Sequence, residues 1–133
     1  MTTEIKYCWP NDFTEKIPPE DATPACGFVF RLVDNLPPTA DDFLQTREEN
    51  PNRNFNSEHA KCLSYGVSIW SEKDQLKAKQ RKFRKALGNK KVVSGVLVPE
   101  LGKANEPQEN SHRTLWKQVD AKPHLHINND EAD

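Results

Sequence analysis

Between residues 26 and 33 the chain reads CGFVFRLV, with Phe28, Phe30 and Leu32 alternating against Val29, Arg31 and Val33. A period of two predicts a strand, and it puts Arg31 on an otherwise apolar face. Pro37 and Pro38 stop that strand. Thr39 followed by Ala-Asp-Asp then predicts a helix N-terminus, opening a short helix that carries Phe43 and Leu44. Residues 47 to 58 are polar and asparagine-rich, and read as a loop. CLSYGVSIW, residues 62 to 70, alternates again, with Leu63, Tyr65, Val67 and Ile69 on one face and Ser64, Gly66, Ser68 and Trp70 on the other. A small polar face of this kind either meets water or lines a cleft.

Ser71, followed by Glu72 and Asp74, predicts a second helix over residues 72 to 87 that ends at Gly88. Its apolar stripe is narrow, built on Leu76, Phe83 and Leu87. KVVSGVLVP (91 to 99) is a valine-rich strand stopped by Pro99, HRTLW (112 to 116) a short strand, and HLHI (124 to 127) a last apolar fragment. This order predicts an α+β fold: one small domain over residues 25 to 127, mainly antiparallel sheet with two helices. Residues 1 to 24 hold four prolines and read as an irregular arm that Tyr7, Trp9 and Phe13 pin onto the domain. Residues 128 to 133 read as a disordered acidic tail.

Composition adjusts this picture modestly. The chain has 133 residues, 35% apolar and 29% charged, with ten prolines, so the ordered part is expected to be shorter than the whole. It lacks an apolar run long enough to span a bilayer and the pattern of a secretory signal. Three cysteines without paired spacing fit free thiols, so the expected location is cytoplasmic.

Charge changes the picture more. The net charge is −1, yet nine basic residues against the single acid Asp74 lie between Lys73 and Lys91. A basic helix of this kind docks an acidic protein partner or tracks a phosphate backbone, and the protein partner is the preferred reading because aromatic interleaving is confined to Phe83. Lys73, Lys77, Arg81, Arg84 and Lys85 are the expected partner-binding residues. His59 and Cys62 have an H-x-x-C spacing and His124 and His126 alternate, but the remaining candidate ligands are singletons, so no metal is expected. Cys62 beside His59 or His112 reads as a small apolar side chain rather than an activated nucleophile. No phosphate loop, dinucleotide turn or nucleophile elbow is present. Arg31 needs a carboxylate, a carbonyl or a ligand phosphate, and an internal salt bridge is the simpler choice.

FRLVDNLPPTADDF, CLSYGVSIW and SHRTLW together resemble a pattern found in small bacterial proteins without an assigned activity. The layout is also similar to ADP-ribosyltransferase-like folds, including RES-type toxins that consume NAD. That resemblance implies that Arg31 holds the phosphates of NAD, that Ser68 shapes the nicotinamide site, and that His112 occupies the third region. Those families commonly carry a glutamate there, and a neutral imidazole does not supply its negative charge. Two functions follow as expectations. The first is a non-catalytic bacterial accessory protein that needs no cofactor and docks a partner through the basic helix and the N-terminal arm. The alternative is an NAD- or nucleotide-processing enzyme using Arg31, Ser68 and His112.

Overall fold

In the computed structural model, which describes residues 5–131, the alternating segments pair into one curled antiparallel sheet. Its strands are β1 (Thr23–Pro24), β2 (Gly27–Val33), β3 (Val67–Trp70), β4 (Lys91–Leu97), β5 (Gly102–Ala104), β6 (His112–Lys117) and β7 (Ile127–Asp130), in the order β1-β5-β6-β3-β2-β4-β7. Four helices accompany them: α1 (Thr46–Glu49), α2 (Glu58–Ser64), α3 (Lys73–Lys82) and α4 (Arg84–Leu87). The α+β class holds for this small single domain, and the helices are twice as many as expected.

β2 and β4 form the backbone of the sheet, paired at every position from Gly27 with Leu97 to Val33 with Lys91. The period of two then sorts their side chains. Val29, Val33 and Val93 join Phe43, Val67, Ile69, Leu97, Leu115 and Ile127 in the main core. Leu32 and Val92 face the other way, where Trp70 and Leu76 cover them beneath α3. Fully burying one such aliphatic side chain is worth about 1.5–3 kcal/mol, so sheet and helix hold each other through few residues. A third cluster sits around Trp116, where Ile17, Ala22, Trp9 and Phe13 pack near Tyr65. Residues 5 to 22 form no helix or strand, and Tyr7, Trp9 and Phe13 stack in series before Phe13 meets the edge of Tyr65.

Four local expectations need correction. Residues 62 to 70 are not one strand: Cys62 to Ser64 end α2, whose N-cap Ser57 accepts the Ala60 amide at 3.0 Å, and strand begins only at Val67. The 47 to 58 loop therefore includes most of α1 and the start of α2. The helix over 72 to 87 breaks at Phe83 (φ −111°, ψ 46°), and Ser71 does not cap it; its hydroxyl and amide both donate to Ser111 O at the end of β3. The turn after Thr39 is a 3-10 turn, Ala40–Phe43, held by Asp42, whose carboxylate accepts the amides of Asp34 and Thr39 at 2.8 and 2.9 Å.

The expected tail also enters the sheet. Ile127 to Asp130 pair with β4, and the Glu131 amide donates to Val92 O at 2.9 Å. The pairing shifts register between Ser94 and Gly95, and a Cβ on Gly95 would lie 2.0 Å from His126 O. Only glycine lets β7 approach there. Residues 1 to 4 of the expected arm and 132 to 133 of the expected tail lie outside the described residues.

Candidate functional site

The ladder between β2 and β3 is paired at one position, Phe30 with Trp70. Beyond it the Ser68 carbonyl accepts from Arg31 Nη1 at 2.6 Å, so a guanidinium stands where a backbone amide would otherwise satisfy that oxygen. Arg31 Nε donates to Asp42 O at 2.7 Å, Nη2 meets Glu49 Oε2 at 3.3 Å, and the guanidinium carbon lies 5.4 Å from the centre of the Phe43 ring. The side chain is only 4% exposed. Burial lowers its pKa, and the Glu49 carboxylate opposes that shift. Arg31 thus ties β2 to β3, to the 3-10 turn and to α1. Its arrangement satisfies the internal salt bridge expected on chemical grounds.

The opened ladder leaves a cavity of about 650 Å³. Arg31, Ser68 and His112 all line it, so the three residues singled out from sequence share one concave surface. The Ser68 hydroxyl lies 3.2 Å from Thr46 Oγ1. His112 sits opposite Trp70 in the β3–β6 register and packs edge-on to its indole, with ring centres 4.9 Å apart. Burial first, and the Lys79 ammonium second, push the His112 pKa down to about 4. The imidazole is therefore neutral near pH 7, and among the described residues its nitrogens have no hydrogen-bond partner.

Sequence reasoning missed the other half of the lining. Arg53, Phe55, Lys79 and Lys90 reach the cavity from the connecting loop, from α3 and from the turn after α4. Lys79 Nζ stands 5.0 Å from the centre of the Trp70 ring, and Arg53 stacks on Phe55 at 5.1 Å. Burial and the nearby Arg53 guanidinium lower the pKa of Lys79. Among the described residues the only carboxylate in the lining is Glu49, already paired with Arg31. Lys90 is paired with Asp34 at 3.0 Å, so Arg53 and Lys79 are the lining cations left without a carboxylate partner among the described residues. Alternation cannot reveal this, because Arg53 lies in an aperiodic stretch and Lys79 looks like any other lysine of a basic helix.

The expected partner-binding residues divide. Lys73 pairs with Glu131 at 3.2 Å, and Lys77 is engaged as well. Arg81, Arg84 and Lys85 lie exposed around the break between α3 and α4. Cys62 faces Trp116, and burial raises its thiol pKa, which disfavours the thiolate a nucleophile requires. His59 is exposed on α2. No group of three or more His, Cys, Asp or Glu side chains among the described residues is placed to hold a metal ion, and no helix among them is long and apolar enough to cross a membrane. No protein-family model, curated protein or solved structure matches this chain.

Proposed function

We propose that this protein binds a phosphate-bearing, ring-containing small molecule of the nucleotide class in the cavity between β2 and β3. One observation carries the reading: Arg53 and Lys79, neither of them in an ion pair among the described residues, line a cavity whose single carboxylate among those residues is already paired with Arg31, while Lys90 in the same lining is held by Asp34 at 3.0 Å. An anion entering there meets Arg53 and Lys79, which repel one another in its absence, so binding relieves that repulsion. The half-buried Phe55 ring offers apolar surface for a base, while Trp70 is a buried wall of the cavity. Neutral His112 is able to donate or accept one hydrogen bond to it. The volume suits a ligand of this size.

This keeps the expected class, a non-catalytic binding protein, and moves its ligand site from the helix surface to the cavity. Titration calorimetry with ADP, NAD and inorganic phosphate tests it. The nucleotides are expected to bind, and Arg53→Glu with Lys79→Glu to weaken them at least tenfold. Absence of binding up to millimolar ligand overturns the proposal.

The convergence of Arg31, Ser68 and His112 on the cavity favours a second reading, NAD processing. Against it stands Arg31, whose guanidinium is already engaged with Asp42, Ser68 and Glu49. Release of nicotinamide from NAD by the wild type, lost in Ser68→Ala and His112→Gln, would establish this reaction. Equal background rates in all three would exclude it.

A further inference from the structure

A second, shallower concavity of about 400 Å³ lies where α3 gives way to α4. Arg81, Lys82, Phe83, Arg84, Lys85 and Ala86 line it, and Ala86 also lines the main cavity, so the two adjoin. The helix break turns Phe83 outward, leaving its ring 49% exposed with Lys82 Nζ 5.6 Å from its centre. What sets Phe83 apart from other exposed apolar residues is that Arg81, Lys82, Arg84 and Lys85 surround it, a combination that suits a flat anionic ligand. From Gln75 to Pro99 the chain carries no acidic residue, and Arg81, Arg84 and Lys85 make no ion pair among the described residues.

We propose that the nucleotide taken by the main cavity is the terminal residue of a single-stranded nucleic acid, whose neighbouring phosphates run along Arg81, Arg84 and Lys85 while an adjacent base stacks on Phe83. The inference rests on the nucleotide reading of the main cavity. Cations alone would suit an acidic protein equally well. The exposed ring, together with a neighbouring cavity that shares Ala86 and carries the Phe55 ring in its lining, favours a ligand that alternates phosphates with flat bases.

The test compares a mononucleotide with oligonucleotides of the same base, two to six residues long, by fluorescence anisotropy and calorimetry. Lengthening the ligand is expected to tighten binding at least tenfold at low salt. That gain should fall with a log–log salt slope of about −2, as neutralising three phosphates of a single strand requires. The variant Arg81→Glu/Arg84→Glu/Lys85→Glu is expected to abolish the gain while leaving mononucleotide affinity intact, and Phe83→Ala to remove about tenfold of it. Equal affinity for mononucleotide and oligonucleotide overturns this inference but leaves the cavity reading standing. Oligonucleotide binding that the triple variant abolishes, with no mononucleotide binding, overturns the cavity reading and the terminal placement together. A polyglutamate peptide, or a duplex of equal length, that binds as tightly as the single strand overturns the choice of ligand.

Discussion

Lowering the pH from 7 places a proton on His112 in the unfolded chain well before it does so in the folded one. Unfolded, the imidazole titrates near 6.5; folded, burial against Trp70 and the charge of Lys79 bring it down to about 4. A base whose pKa is lower in the folded state stabilises that state fully above the unfolded value. The contribution is lost as pH falls through the window between the two values, and is gone below about 4. Linkage across this window gives a loss of about 1.5 kcal/mol by pH 5.5 and about 2.5 kcal/mol by pH 4.5. These are ceilings, because part of the ring reaches solvent. Urea unfolding of the wild type and of His112→Gln at pH 7, 5.5 and 4.5 isolates the effect, since every other group titrates in both proteins. The Asp42 carboxyl does not intrude. Burial raises its pKa, but the amides of Thr39 and Asp34 more than offset this and hold it below 3.8, so its stabilisation is lost only at lower pH. The wild type is expected to lose more stability than the variant between pH 7 and 4.5, by up to the ceiling given. Parallel losses in the two proteins would refute the placement of His112 in a desolvated, positively charged setting.

Arg31→Met keeps the apolar stem and removes the donors from Asp42 O, Ser68 O and Glu49, so urea denaturation should show a loss of about 3 kcal/mol; unchanged stability would mean that Arg31 is not a structural link. Gly95→Ala forces a Cβ against His126 O and Ile127 Cα, with an expected cost of about 1–3 kcal/mol in thermal unfolding and faster amide exchange in β7; slow exchange retained throughout β7 would contradict the close approach.

Periodicity located β2, β4 and β6 well because each is flanked by partners on both sides and alternates over several residues. It failed at residues 62 to 66 for a physical reason. An amphipathic helix end and a half-buried strand leave similar marks over so short a stretch, and Trp116, more than fifty residues away, decides the outcome by donating from Nε1 to Cys62 O at 3.0 Å. The C-terminal strand was hidden for a related reason. INND has little strand propensity, and β4 alone supplies its ladder. Ser64 and Ser68, expected together on one strand face, still line the same cavity, though they reach it from a helix and from a strand.

Arg31 links these observations. An arginine on the core-facing side of a central strand must find acceptors, and it takes them from Asp42 O and Ser68 O, which limits the pairing of β2 with β3 to Phe30 and Trp70. The interrupted ladder is what leaves room for a cavity in the middle of a seven-stranded sheet. Arg31 also pairs with Glu49, the one carboxylate in the lining among the described residues, which leaves Arg53 and Lys79 without a carboxylate partner there. Arg31 was singled out from sequence as a candidate to touch a ligand phosphate. Its guanidinium is engaged with Asp42, Ser68 and Glu49, while Arg53 and Lys79 in the same lining have no carboxylate partner among the described residues.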